Sequence, residues 1–244
     1  QGIISYTKKY PTLLWSCMLV YLSSTIVTQD MVAIRAGVAG ALMLFAIGYK
    51  IQADNRKMYI ALIMAVLFHY SALACFVIPF LNIHKMHRNI YLSALLISHI
   101  LALMGIFLNH YIGFLNSIGA LETVLGMHTE RDEPMNFLNL LQLGHILICV
   151  VLWMNAEKLK ESYNDAIIYL KVYTIGLCVM PLLALMMSMA IRLQELFLVV
   201  EIILIPMGFS ILFKSRLLGK YLLVIYSIVM FYFALTNTVY WGMN

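Results

Sequence analysis

Long apolar segments dominate this chain and leave little of it for contact with water. They recur at lengths of about 17–25 residues, and about 20 apolar residues are enough to cross the hydrocarbon core of a bilayer. Charged residues are 11% and hydrophobic residues 63% of the 244 residues, whereas charged residues are about 25% of a typical soluble domain. The pattern predicts an all-α fold, a polytopic integral membrane helix bundle that forms a single domain over residues 1–244.

About seven or eight hydrophobic segments are expected, one of them a candidate re-entrant segment. Their predicted bounds are Thr12–Thr28, Met31–Tyr49, Met58–Leu81, Ile90–Leu115, Asn136–Ala156, Ala166–Ala190, Leu196–Phe213 and Tyr221–Trp241. Lys and Arg collect between them, at residues 8–9, 50–57, 158–160 and 214–220. The positive-inside rule places these groups in the cytoplasm. Because the basic residues are explained by membrane orientation, the sequence predicts a lipid bilayer as partner and no nucleic acid.

The predicted sides of the membrane conflict at one point in the chain. The loop Asn116–Met135 is acidic and is expected outside, while Lys57 is expected inside. These positions require an odd number of crossings, but two hydrophobic segments lie between them. Either Met58–Leu81 is a re-entrant pair broken near His69, or Tyr91–Leu121 enters the membrane and returns. We favour the second, in which Met58–Leu81 crosses fully.

Ionisable residues within the apolar segments are candidate functional residues, because a charge inside a bilayer is costly unless it has a partner or faces water. Arg35 lies near the start of its segment and could snorkel or hold a phosphate through its planar fork of donors. His69, two residues before Ser71, could accept a proton in a water-accessible cleft. Arg192 could bind a ligand or form an i, i+3 ion pair with Glu195.

Other polar residues favour structural roles or leave two interpretations open. Glu201 is predicted to pair with an Arg across the bundle, and His99 and His145 are predicted to be hydrogen-bonded core residues. The outer loop places an imidazole, a carboxylate and a guanidinium close together, as a ligand cluster or a solvated loop, at His128, Glu130 and Arg131. No cluster has metal-ligand spacing, so the sequence predicts no metal and no cofactor.

The order of residues between Thr28 and Leu81 resembles a known family. A helix beginning Ile34-Arg35 is followed by a short basic turn and then by a helix containing Phe68-His69 and Ser71. This order is similar to the EpsG family of Wzy-type polysaccharide polymerases, whose members carry an Ile-Arg-Gln helix, a basic turn and a Phe-His-x-Ser-Ala segment.

The likeness continues from about Tyr10 to the end of the chain. The pair Ile191-Arg192 resembles that family's Ala-Arg-Phe segment. Family members usually have further spans ahead of this point, so the resemblance implies that an N-terminal part is missing. We expect residues 1–244 to be about the C-terminal two-thirds of a longer protein.

The resemblance implies a multi-pass enzyme of the bacterial cytoplasmic (inner) membrane with a GT-C-like bundle. Such a glycosyltransferase-type polymerase joins polyprenyl-diphosphate-linked oligosaccharide repeat units, carried on undecaprenyl diphosphate, at the outer face. Its product is a surface polysaccharide such as O-antigen, capsule or exopolysaccharide. A flippase and a chain-length regulator of the same pathway are the implied protein partners.

Roles for the candidate residues follow from that implied reaction. Arg35 and His69 are the predicted catalytic residues: Arg35 stabilises the leaving diphosphate and His69 accepts the proton of the acceptor hydroxyl. A full crossing by Met58–Leu81 brings His69 back toward the outer half, near Arg35, and this is our reason for favouring it. The predicted substrate-binding residues are Arg192, Arg131, His128, Glu130, Asp30 and Ser71, with Glu130 or Asp30 as alternative bases.

Three other functions are weighed against the polymerase. A flippase or exporter of lipid-linked saccharide requires polar residues along a continuous path, whereas the charges here gather toward one face. A membrane acyltransferase that modifies surface sugars would also use a His near an Arg, but an early helix with paired Arg residues is not seen. A structural subunit of a synthesis complex would be inactive with a verified substrate.

Overall fold

The structure, a computed structural model, describes residues 9–24, 34–104, 139–183, 187–213 and 215–242. Within these ranges every regular element is a helix. A 3-10 turn at Pro11–Leu13 leads into α1, and a long 3-10 helix at Tyr70–Phe80 follows α3. The α-helices are α1 Leu14–Val20, α2 Ile34–Ile51, α3 Asn55–Phe68, α4 Arg88–Met104, α5 Leu140–Met154, α6 Ala156–Ser162, α7 Ala166–Leu182, α8 Met187–Leu198, α9 Glu201–Leu212 and α10 Arg216–Gly242.

Two helices, α7 and α9, form the centre of the bundle. Both are apolar around most of their circumference, as expected for a helix enclosed by others, and most of their residues are buried. Trp153, Tyr169, Tyr173 and Phe197 are among the large side chains that are almost completely buried there. These two helices hold the bundle together through side-chain packing.

The outer helices present apolar side chains outward. Leu67 on α3, Leu103 on α4 and Ile228 on α10 are 63–74% exposed, and each has several exposed apolar neighbours. Continuous apolar surface of this extent is unusual on a soluble monomer but suits contact with lipid. The arrangement supports the predicted all-α membrane protein.

The predicted number of spans is not confirmed. Ile34–Ile51 and Leu217–Thr236 are the helices long and apolar enough to cross a membrane within the described ranges. The number rises to four if two bent pairs each count as one span, α5 with α6, bent by 72°, and Met189–Leu198 with Glu201–Leu212, bent by 53°. The structure thus divides into shorter helices several segments that hydropathy treats as continuous.

The segment Met58–Leu81 reverses direction instead of crossing fully, so our preferred alternative was wrong. The short turn after α2 starts α3 at the Lys50 end of α2, and the Lys50 Nζ atom also donates a hydrogen bond to the Pro79 carbonyl at 2.6 Å. Both ends of residues 55–80 therefore lie at the same end of α2. We call this pair of helices the His69 hairpin, because its chain reversal occurs at His69.

The extended backbone of His69 produces the reversal, and a lysine binds the end of the 3-10 helix that follows it. His69 adopts an extended conformation, with φ −151° and ψ 118°, between two helices. The buried Lys171 Nζ atom donates to the Asn82 carbonyl at 2.5 Å, and cations near a helix C-terminus satisfy its otherwise unpaired carbonyls. Lys50 and Lys171 together hold the base of the His69 hairpin.

This correction removes the conflict over sides of the membrane. With the His69 hairpin returning to its starting end, Lys57 and the basic residues Lys85 and Arg88 share one end of the bundle, in agreement with the positive-inside rule. A single crossing that begins with α4 can then reach the acidic loop. Residues 105–138, which include the end of Tyr91–Leu121 and that loop, lie outside the described ranges.

Candidate functional site

The tip of the His69 hairpin is formed by a single extended residue with a fully bonded backbone. The His69 N–H donates to the Ala65 carbonyl at 2.9 Å, and the His69 carbonyl accepts from the Ala72 N–H at 3.0 Å. The flanking helices α3 and Tyr70–Phe80 are therefore continuous with it through backbone hydrogen bonds. Both bonds fix the position from which the imidazole extends.

Two arginines from other helices lie near enough to this tip for their charges to act on it. Arg35 lies in the first turn of α2 and Arg192 lies on α8, and α2, α8 and the 3-10 helix pack against one another. The charges of both guanidinium groups act on the His69 imidazole. The structure thus brings together three residues that the sequence analysis selected from distant segments.

The exposure and hydrogen bonding of these three residues suit ligand binding. Arg35 and Arg192 are exposed. The Nε2 atom of His69 is buried, and it has no hydrogen-bond partner among the described residues. A buried polar atom without a partner is unfavourable, so this nitrogen is suited to a hydrogen bond with a bound molecule.

A family comparison agrees with this constellation. The family model described as the EpsG family matches residues 2–242. The chain belongs to the EpsG family. Membership indicates a polysaccharide polymerase-type role in polysaccharide biosynthesis, and together with the apolar helices it indicates a membrane protein. No curated protein and no solved structure matches the chain.

The remaining predicted site residues of this EpsG-family chain have different outcomes. Ser71 is half-buried in the first turn of the 3-10 helix, two residues beyond the tip. The Arg192 charge acts on Glu195, its predicted i, i+3 partner, as well as on His69. Four predicted residues lie outside the described ranges, namely Asp30, His128, Glu130 and Arg131. Their roles stay predictions.

Metal-binding groups are not assembled in the described part of this EpsG-family chain. Within it, three or more His, Cys, Asp or Glu side chains do not come together in a way that could hold an ion. The positive charge at the tip of the His69 hairpin comes from guanidinium groups, which bind phosphate oxygens in a bidentate manner.

Lys171 is a buried charged residue that the sequence analysis did not select. It is 1% exposed on α7, at the centre of the bundle. Its ammonium also lies 5.7 Å from the centre of the Tyr91 ring, in a cation–π geometry. A signal was present in the sequence, because Lys171 is the one basic residue within Ala166–Ala190.

A second missed feature is a buried pair between α5 and α9. The His145 Nδ1 atom lies 2.7 Å from Glu201 Oε1 and 3.0 Å from the Tyr173 hydroxyl. The sequence predicts an Arg partner for Glu201, and the structure places His145 there instead. Each residue is a lone ionisable group in an apolar segment, and the rule that such groups pair could have connected them.

Proposed function

We propose that this chain is part of a polymerase that joins polyprenyl-diphosphate-linked oligosaccharide repeat units into a surface polysaccharide. The observation that carries the proposal is the meeting of His69 with Arg35 and Arg192 at the tip of the His69 hairpin. Two guanidinium groups whose charges act on an imidazole, with a ring nitrogen that has no partner among the described residues, are suited to a diphosphate and a hydroxyl. Membership of the EpsG family supports the same reaction class.

Binding of the donor is assigned to the arginines. A diphosphate carries at least two negative charges over several acceptor oxygens, and planar guanidinium forks match that geometry. Arg35 and Arg192 hold the diphosphate and stabilise the charge that increases on it as it leaves. Removing one such donor group from a catalytic site typically lowers the rate by about 10²–10³-fold.

Transfer itself is a substitution at a sugar carbon. An acceptor hydroxyl of the incoming unit forms a new bond to the anomeric carbon of the growing chain, and the bond from that carbon to the diphosphate breaks. The bonding electron pair leaves with the diphosphate, while the hydroxyl proton passes to His69 Nε2. General base catalysis of this kind contributes about 10²–10⁴-fold.

The charge distribution supports an outward-facing site in the bacterial cytoplasmic membrane. Basic residues around Lys50 and Lys57 mark the base of the His69 hairpin as the cytoplasmic end. Helix α3 has 14 residues and rises about 20 Å, roughly two-thirds of a hydrocarbon core of about 30 Å. The tip then lies in the outer half of a multi-pass protein, on the side where the polymer is made.

The test compares surface polysaccharide made by cells that express the complete gene or a variant at matched membrane levels. We expect His69→Ala and Arg35→Ala to reduce the polysaccharide ladder to single repeat units. Arg56→Ala is the matched control, because Arg56 is an exposed basic residue in the first turn of α3, at the opposite end of the hairpin. That control should keep the full ladder.

The same experiment separates the polymerase from its rivals. Loss of polymerase activity leaves single units displayed at the cell surface, whereas loss of a flippase or exporter leaves the lipid-linked unit inside. A full-length ladder that lacks only an acyl modification would identify an acyltransferase. An unchanged ladder in both variants would make His69 and Arg35 structural and would overturn the proposal.

A further inference from the structure

A pocket lies at the end of the bundle opposite to the tip of the His69 hairpin. Its volume is about 360 Å³, and its wall is formed by the 3-10 turn before α1, α1, the end of α6, α9 and the start of α10. Ser162 and Tyr163 of this wall lie a few residues before α7, whose first two turns carry Lys171, the residue bound to the hairpin base. We call this cavity the basic-end pocket.

Hydrogen-bond donors without partners gather at its rim. The hydroxyl groups of Thr12, Ser16 and Ser162 line the basic-end pocket, and none of them has a partner among the described residues. Tyr163 and Ser210 differ, because their hydroxyls lie 2.8 Å apart and Ser210 in turn donates to a backbone carbonyl. Three hydroxyls are thus left available to a bound molecule.

The charge of the rim is positive. Lys220 lines the pocket, is exposed, and forms no ion pair within the described residues. The nearby Lys9 is already committed, since its ammonium pairs with Asp165 at 2.5 Å and this hydrogen bond raises the pKa of Lys9. The described lining residues include no carboxylate. A ligand for this rim should therefore be negative and rich in hydrogen-bond acceptors.

The floor of the pocket is apolar. Leu13, Pro206, Phe209 and Leu223 line it beneath the hydroxyl groups. A molecule that fills both parts has an anionic head and a hydrocarbon tail, and a membrane protein meets such molecules at the bilayer surface, where basic residues attract anionic lipids. Free phosphate would leave this apolar floor uncovered.

We propose that the basic-end pocket binds the phosphate head group of an anionic membrane phospholipid. The phosphodiester accepts hydrogen bonds from Thr12, Ser16 and Ser162 and pairs with Lys220, while an acyl chain covers the apolar floor. This site is separate from the tip of the His69 hairpin. It fits a lipid that joins α10 to α1 at the cytoplasmic surface.

The test measures lipid binding to the purified full-length protein by native mass spectrometry. Phosphatidylglycerol should bind saturably, and Lys220→Gln should weaken that binding by about tenfold, equivalent to one charge-assisted contact. Ser162→Ala should weaken it by a smaller factor. Lys158→Gln is the matched control, because Lys158 is an exposed lysine of α6 that does not line the pocket.

Competing ligands identify the source of the phosphate. Excess inorganic phosphate or glycerol phosphate should leave phosphatidylglycerol bound, because neither covers the apolar floor. Displacement by inorganic phosphate would overturn the lipid assignment in favour of a soluble anion. Equal affinity in the Lys220→Gln, Ser162→Ala and control proteins, each with an unchanged melting temperature, would show nonspecific lipid at the protein surface and would also overturn the proposal.

Discussion

At the scale of single residues, the proposed site combines one imidazole with two guanidinium groups whose charges act on it. The backbone bonds of His69 to Ala65 and Ala72 fix its Cα position, so the direction of the side chain follows from the chain reversal. Arg35 and Arg192 approach from other helices. In the proposed reaction, diphosphate binding would depend on the planar shape of the guanidinium groups as well as on their charge.

Replacing Arg35 with Lys tests that dependence. The Arg35→Lys variant keeps the charge but loses the planar fork, and we expect it to lower the polymerisation rate about tenfold, against about 10²–10³-fold for Arg35→Ala. The rate is measured with purified full-length protein and a lipid-linked repeat unit. Arg56→Lys, in the exposed basic turn, should retain the normal rate. Full activity of Arg35→Lys would show that charge alone is sufficient.

At the scale of helices, the base of the His69 hairpin is held by two lysines from different elements. Lys50 belongs to α2 and Lys171 to α7, and each donates to a backbone carbonyl at the end of the hairpin. The Asn82 side chain stabilises the turn that follows, because its Oδ1 atom accepts hydrogen bonds from the N–H groups of His84 and Lys85. The hairpin is thus attached to the bundle at its base.

Lys171→Met should destabilise the protein with little change in side-chain volume. The lost hydrogen bond leaves the Asn82 carbonyl without its charged partner, which costs about 2 kcal/mol. The free energy of unfolding is measured by titration with a denaturing detergent. Lys57→Met is the control, since Lys57 pairs with Asp54 in an exposed turn, and it should have no measurable effect. Equal losses in both variants would contradict the assigned role of Lys171.

The contact between α5 and α9 should show coupling in a double-mutant cycle. Removing one member of a buried pair typically costs about 3–5 kcal/mol, because the other loses its charged partner. We expect Glu201→Leu alone to be more destabilising than His145→Leu combined with Glu201→Leu. The same detergent titration measures Glu201→Leu, His145→Leu and the double variant. Additive effects would mean that the 2.7 Å contact contributes no coupling.

At the scale of the whole molecule, the His69 hairpin determines which loops share one side of the membrane. Gln52 lies in the turn before the hairpin and His84 in the turn after it, and both are exposed. Since the hairpin returns to its starting end, these two turns belong to the same side. This arrangement agrees with the positions of the basic residues.

Cysteine labelling can measure those sides directly. Gln52→Cys and His84→Cys should react with an impermeant maleimide in inverted membrane vesicles and stay unreacted in intact cells. The parent chain supplies the background, because three of its four cysteines are buried and Cys178 is half-buried. Opposite labelling of the two positions would mean that Met58–Leu81 crosses completely.

Much of this architecture could be predicted from the sequence. Apolar segments predicted membrane helices, and the family resemblance connected Arg35 with His69. The sequence allowed a reversal near His69 as one of two alternatives but could not decide between them, because the hydropathy of Met58–Leu81 is the same for a crossing or a hairpin. The deciding contact, from Lys50 to Pro79, joins residues whose proximity exists only after the chain turns.

The attachment of the hairpin base through main-chain carbonyls has a consequence for sequence change. Any amino acid at positions 79 and 82 supplies a backbone carbonyl, so the acceptors survive substitution there while the donors Lys50 and Lys171 do not. We therefore expect a saturation library to tolerate many replacements at the two acceptor positions and few at the two lysines. Among related chains, we expect more variation at positions 79 and 82 than at positions 50 and 171.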